Sequence, residues 1–287
     1  MARPARSTAR VPVHRYRDGA VRRSRDTVSL EEPLEIRVRP AGATAGVAIA
    51  ITMRTPGEDF ELVAGFLLTE GVIAAPREVL EFTYCRSGSE PQEYNVVEAR
   101  LAPGVGVDLD RLSRNVFTSS SCGVCGKASL EALELDGCAP LPDEGTLRLD
   151  PERLAALPDL LRDGQSDFDR TGGIHAAGLA DARGALARVH EDVGRHNAVD
   201  KAIGTAFLDG ALPLGDRALV VSGRASFEIV QKALAGGVAA VVAVGAPSSL
   251  AVDLARRFNV TLAGFTRGGG FNLYAGAQRV LRTDGEG

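Results

Sequence analysis

Chemistry in this 287-residue chain gathers in three stretches. The first is "TSSSCGVCGKASL", Thr118 to Leu130, where Cys122 and Cys125 stand two residues apart and Lys127 follows. A structural zinc site wants four ligands, commonly two such pairs or one pair with two nearby histidines. No second C-x-x-C exists here, Cys138 stands alone, and the gap from His190 to His196 is too long for the histidine half. A catalytic zinc on both cysteines and one histidine stays open. However, the nucleobase deaminases place H-x-E before P-C-x-x-C, and this chain has the pair before any of the histidines that could serve, so no zinc is expected. A redox or transfer dithiol is the other reading. The segment leads toward a helix with Leu130 and Leu133, and a helix start together with Lys127 lowers a thiol's pKa. The flanking glycines and serines describe an exposed loop, which suits a thiolate that receives a group from one partner and delivers it to another.

The second stretch is "TGGIHAAGL" with "VHEDVGRHNAVDKAIG". It holds His175, His190 and His196 beside Glu191, Asp192, Arg195, Asn197, Asp200 and Lys201. Such a mixture reads as a site, with a satisfied polar network as the alternative. Lysine adds a clue: of 33 lysines and arginines only Lys127, Lys201 and Lys232 are lysine, and two of them adjoin these stretches. The third group comprises the turns "SGRASF", "GAPSSL" and "GFTRGGGFN". Arg224 and Arg267 sit within glycine-bearing turns, where a forked cation beside free backbone amides can grip phosphate. No Walker A or GxGxxG pattern is present, so these are a phosphate or nucleotide site of unassigned type, or plain turns in which Ser226 and Ser248 cap helices.

Those residues need a scaffold. "RALVVSG", "VAAVVAVG" and "VTLAGF" are apolar strands separated by helices "SFEIVQKALAGG" and "SSLAVDLARRFN", the pattern of a sheet covered on both faces. An α/β layered domain is expected over residues 114–287, with ligands at the carboxyl ends of its strands. A helix after the histidines buries Val199, Ile203 and Phe207. Residues 26–113 read as a small α+β unit. Strands "EEPLEIRVRP" and "GVAIAITMRT" form a hairpin, Phe60, Val63, Ala64 and Leu67 mark a helix, and "EYNVVEARL" is another strand. Cys85 is expected to be a small apolar filler.

Charge and cysteine use narrow the class. Net charge is -4, against a protein that coats nucleic acid. The exception is residues 1–25, where eight arginines from Arg3 to Arg25 face Asp18 alone, and this segment is expected to be a disordered arm. Arg22 and Arg23 resemble an export signal, but the polar "SRDTVSLEEP" follows. Four unevenly spaced cysteines point to a reducing compartment, the cytoplasm, with no membrane association.

Taken in order, "EEPLEIRV", "MRTPGEDFELVAGFLLTEGVI", "SSSCGVCGKAS", "TGGIHAAGLA", "HEDVGRHNAVDKAIG", "SGRASFEIVQKA", "APSSLAVDLA" and "GFTRGGGFNLY" resemble the formate dehydrogenase accessory sulfurtransferase family, from about Glu31 to Tyr274. The resemblance implies a cytidine-deaminase-like fold without the deaminase zinc ligands. It implies a sulfurtransferase that takes sulfur from a cysteine desulfurase as a cysteine persulfide. The sulfur then passes to the molybdenum bis(molybdopterin guanine dinucleotide) cofactor, which formate dehydrogenase needs. Carried over, Cys122 bears the persulfide and Cys125 assists. The family's cofactor-binding segment falls on Phe265, Thr266, Arg267, Gly268, Gly269 and Gly270. With it go Ser222, and Arg224 with Arg267 for the pyrophosphates, and the cluster of His175, His190 and His196 for the pterin end. A homodimer is also implied. The alternative is a non-catalytic chaperone that only binds and delivers the cofactor.

Overall fold

The computed structural model describes residues 6–85, 93–106, 139–143 and 147–280. The cysteine loop with Cys122, Cys125 and Lys127, and also Cys138, lies outside the described residues.

A six-stranded mixed sheet carries the α/β half, in the order β12-β11-β10-β9-β7-β8. Its centre is three parallel strands, β9 (Ala218–Val221), β10 (Ala240–Ala243) and β11 (Thr261–Arg267). Antiparallel strands flank them: β12 (Gly270–Ala275) on one side, β7 (His175–Ala180) and β8 (Leu186–Asp192) on the other. Successive side chains of a strand point to opposite faces, so a sheet covered twice needs apolar residues at every position. Leu219, Val221, Val241, Ala243 and Leu262 enter one core, while Ala218, Val220, Ala240, Val242 and Ala263 enter a second.

The second core is closed by α2 (Pro151–Asp163), which presents Leu154, Leu157 and Leu161. Asp150 accepts from the backbone amides of Glu152 and Arg153 at its start, and Pro151 occupies the first turn. A short α3 (Ser166–Thr171) follows. The first core is covered by α4 (Arg195–Leu208), α5 (Phe227–Ala235) and α6 (Ser249–Arg257). Ser248 caps α6 through the Ala251 amide, whereas Ser226 makes no such bond at α5.

Residues 32–101 form the expected hairpin, helix and strand, completed by one further strand. A four-stranded sheet runs β4-β3-β6-β5, with β3 (Glu32–Arg39), β4 (Val47–Arg54), β5 (Val79–Tyr84) and β6 (Val96–Leu101). Its inner face, with Leu34, Ile36, Val38, Val97 and Ala99, joins the same core as α4 and α5. The link is α1 (Asp59–Thr69), which crosses α4 backbone to backbone. A Cβ on Gly65 would lie 1.9 Å from the Asp200 carbonyl oxygen, and one on Gly204 1.8 Å from that of Glu61. Glycine is required at both positions because no side chain fits between the helices.

One expectation is overturned. The arginine-rich segment is an antiparallel ribbon, β1 (Thr8–Arg17) and β2 (Ala20–Ser29), in place of a disordered arm. Asp18 and Gly19 turn it with φ of 51° and 77°, the geometry of a two-residue hairpin loop whose twist matches its strands. Its base is held by hydrogen bonds from Arg170 to the Thr8 hydroxyl (2.6 Å) and from Ser29 to Thr171 (2.9 Å). Composition favoured disorder, but the Asp-Gly turn and these bonds to α3 offset the repulsion.

Candidate functional site

At the carboxyl ends of β9, β10 and β11 the sheet opens into a cleft of about 500 Å³. Ser222, Val244, Thr266 and Arg267 reach it from the strand ends and His175 from the start of β7. The opposite wall comes from α2 and α3, with Arg162, Gln165 and Phe168. Parallel strands end together and their chains turn away into helices, which leaves a crevice with free backbone groups.

The wall is preorganised. Arg162 lies over the Phe168 ring at 4.6 Å and pairs with Asp169. Two amides at the start of α3, on Asp167 and Phe168, donate to the Glu191 carboxylate at 2.8 and 2.9 Å. Ser222 accepts from the Ala176 amide at 2.9 Å, which ties β7 to the end of β9. The Gln165 side chain is 3% exposed and Thr266 fully buried, yet Gln165 Nε2 and Thr266 Oγ1 have no hydrogen-bond partner among the described residues. Unmade hydrogen bonds of this kind cost about 1–3 kcal/mol each, so a ligand that pairs with these two groups recovers that cost.

Of the residues singled out from the sequence, the cleft brings together His175, Ser222, Thr266 and Arg267. Arg224 is exposed and packs over Gly245, outside the lining. Phe265 is 41% exposed and adopts φ 52° at an irregularity of β11. Gly268 and Gly269, with φ of 59° and 77°, are the turn of the β11–β12 hairpin, closed by Arg267 opposite Gly270. The triple glycine is thus explained first by the hairpin, which aims Arg267 at the cleft. His196 sits in the first turn of α4 with Nε2 4.0 Å from Glu228, off the lining. Burial, with Arg195 and Lys232 adding, holds its imidazole down to about 4, and burial likewise lowers His175. Both are neutral near pH 7.

The rest of the histidine stretch is a satisfied network. His190, 2% exposed, pairs with Glu58 at 3.1 Å. Asp192 is buried and accepts from Lys201 (2.8 Å), the amides of Thr55 (3.0 Å) and Gly194 (2.8 Å), and Asn197 (3.0 Å). Lys201 also donates to the carbonyls of Thr55 and Glu191, and Asn197 to that of Met53. Asp200 pairs with Lys232 at 3.0 Å, which also reaches Thr69 and Glu70. These bonds fasten the four-stranded unit to the α/β unit. A compact ammonium donating in three directions suits both lysine sites, and a planar guanidinium does not.

Sequence reading missed Arg162, Gln165 and Phe168. The signal for α2, which carries Arg162, was there, Asp150-Pro151 followed by Leu154, Leu157 and Leu161. Nothing in that pattern says which outer residues face β11. Among the described residues no group of three His, Cys, Asp or Glu is placed to hold a metal, and no helix is long and apolar enough to cross a membrane.

An α/β protein with an anion-suited cleft at its strand ends is what the geometry defines. The FdhD/NarQ family matches residues 30–281, and the chain belongs to it. It is 53% identical over 277 residues, 96% of each chain, to the sulfur carrier protein FdhD of Streptomyces coelicolor. It is 50% identical over 261 residues, 89% of this chain and 92% of the other, to that of Mycobacterium tuberculosis. A crystal structure described as that of a formate dehydrogenase accessory protein from Desulfotalea psychrophila superposes with a TM-score of 0.73 at 24% identity, covering 96% of this chain and all of the other, and it shares the fold.

Proposed function

We propose that this protein is a sulfurtransferase serving formate dehydrogenase in the cytoplasm, acting as a homodimer of cytidine-deaminase-like subunits. The cargo is the molybdenum bis-guanine-dinucleotide cofactor, and the cleft holds one of its nucleotide limbs. The observation that carries the reading is the cleft itself. Its volume suits a nucleotide. Arg267 and Arg162 supply two guanidiniums, and Gln165 and Thr266 supply buried polar atoms with no partner among the described residues. Pyrophosphate is a natural match for forked cations at strand ends. Sulfur carriage is supported by the names of the relatives and by the cysteine pair.

The chemistry follows from the thiols. The Cys122 thiolate attacks the outer sulfur of a desulfurase persulfide; the donor's S–S bond breaks, and the donor leaves as its thiolate. Cys122 then carries the persulfide. When the Cys125 thiolate attacks the Cys122 sulfur, the outer sulfur leaves as hydrosulfide and a Cys122–Cys125 disulfide forms, which a cellular dithiol reduces again. The residues of the cleft bind and orient: Arg267 and Arg162 neutralise phosphate, Ser222 positions β7, and neutral His175 can accept a hydrogen bond.

The test is intact mass after incubation with a cysteine desulfurase and cysteine. Wild type gains one sulfur and the Cys122→Ala protein does not. An unchanged gain in Cys122→Ala refutes the assignment of the carrier. In parallel, Arg267→Ala weakens GDP binding roughly tenfold, the loss of one charge-assisted phosphate bond. GDP binding with full activation of formate dehydrogenase by a protein lacking both thiols would establish a chaperone in place of a sulfurtransferase.

A further inference from the structure

The basic ribbon does not line the cleft, and among the described residues nothing covers its outer arginines. Arg6, Arg10, Arg15, Arg17, Arg22, Arg23 and Arg25 are all exposed, with only Asp18 and Asp26 as acids in the same segment. Arg15 pairs with Asp26 at 3.1 Å. Since the whole chain is at -4, everything after the ribbon is more acidic than that. The molecule is therefore polarised, a basic arm on an acidic body. Arg15 stands opposite Arg22 and His14 opposite Arg23, cross-strand pairs of like or potentially like charge that a free hairpin would avoid. An isolated two-stranded hairpin is marginal in water. This one is also extended, ten residues per strand or roughly 30 Å.

Its anchorage places it. Arg170, Thr171 and Gly173 hold the ribbon base, and Gly173 with Phe168 lines the cleft. At the far end Tyr16, 72% exposed, faces Val21, 64% exposed, so the tip carries an apolar pair among arginines. The ribbon ends at Ser29, one residue before the family match begins, while the match to the Streptomyces coelicolor relative, 96% of this chain, extends into it.

We infer that the ribbon is a docking arm for an acidic protein surface, that of the client enzyme seated over the cleft mouth. This rests on the function proposed above, which makes formate dehydrogenase the client. A local acidic patch can meet the arm while the rest of the client faces the cleft mouth, where the body presents its own cations, Arg162 and Arg267. A nucleic acid, a long polyanion, would be repelled by that body. Electrostatic complementarity of this type sets association rate and salt dependence above all, and Tyr16 supplies an aromatic anchor of the sort that dominates binding energy.

The experiment measures binding of purified formate dehydrogenase to the full-length protein at low and at physiological salt. Arg17, Arg22, Arg23 and Arg25 are replaced together by Glu or by Lys, which leaves the Arg15–Asp26 pair intact. The Glu variant should bind about tenfold or more weakly and lose the salt dependence. The Lys variant should stay within about threefold of wild type. GDP affinity, read on the same samples, should not change, which shows the body intact and separates this result from failure of the proposed function. Equal binding by the Glu variant, equal loss by the Lys variant, or no binding by wild type overturns the inference. So does tighter binding of wild type to duplex DNA or RNA than to the enzyme. Conversion of a dimer to a monomer by the Glu substitutions would make a second copy the occupant, and would overturn it as well.

Discussion

Gly204→Ala tests the seam on which the whole arrangement depends. In an isolated helix this change is favourable by about 1 kcal/mol, because alanine restricts the unfolded chain and glycine does not. In α4 the added Cβ would stand 1.8 Å from the Glu61 oxygen and 2.6 Å from the Gly65 nitrogen, where ordinary contact begins at 3.4 Å. Both neighbours are backbone atoms, so no rotamer change relieves the overlap; the helices must part by roughly 1.5 Å. In a close-packed core that separation opens gaps along the seam, and overpacking of this kind costs about 3 kcal/mol. The net is a loss of about 2 kcal/mol, or roughly 4–8 °C in melting temperature for a chain of this size. Thermal and urea denaturation read it. A Gly204→Ala protein that melts at or above wild type would refute the reasoning, since the helices would then have more room than the backbone contact allows.

Other outcomes follow from the same network. Asp192→Ala leaves the buried Lys201 ammonium with only carbonyl acceptors and should cost about 3–5 kcal/mol, while adding Lys201→Met should recover part of it, measured as a double-mutant cycle in urea. His196 has a folded pKa of about 4 against the usual 6.5, so the unfolded chain binds its proton first as pH falls. Its contribution is complete above pH 6.5 and is lost on descending to 4. With the ring about one-third exposed, the expected loss between pH 7 and pH 5 is about 1 kcal/mol, and His196→Asn should flatten the profile by that amount. Thr266→Val removes a buried hydroxyl without a partner among the described residues and should stabilise the free protein by about 1 kcal/mol, read in urea; a loss of stability would show that the hydroxyl has a structural role.

The strands around Leu219, Val241 and Leu262 were legible because a sheet covered on both faces must be apolar throughout, and a continuous run carries that requirement in itself. Helix α4 was legible from Val199, Ile203 and Phe207. The ribbon was misread because arginine content was weighed above the Asp18–Gly19 turn, although a local turn and an anchored base outweigh composition. His190, Glu191 and Asp192 were read as a site, but their partners, Glu58, the α3 amides and Thr55, lie far away in the chain. A carboxylate that binds a ligand and one that fastens two units look identical in one dimension.

The sequence by itself determined the three central parallel strands with α4, α5 and α6, the strand-end position of Ser222 and Arg267, and the presence of a close thiol pair, since each depends on residues near one another in the chain. Only the tertiary structure decided that Arg162 and Phe168 face Arg267 across one cleft. It alone decided that two glycines let α1 and α4 touch, and that the histidine cluster divides into fasteners and a site edge. Those outcomes depend on distances between segments separated by many residues, which packing sets and local pattern does not carry.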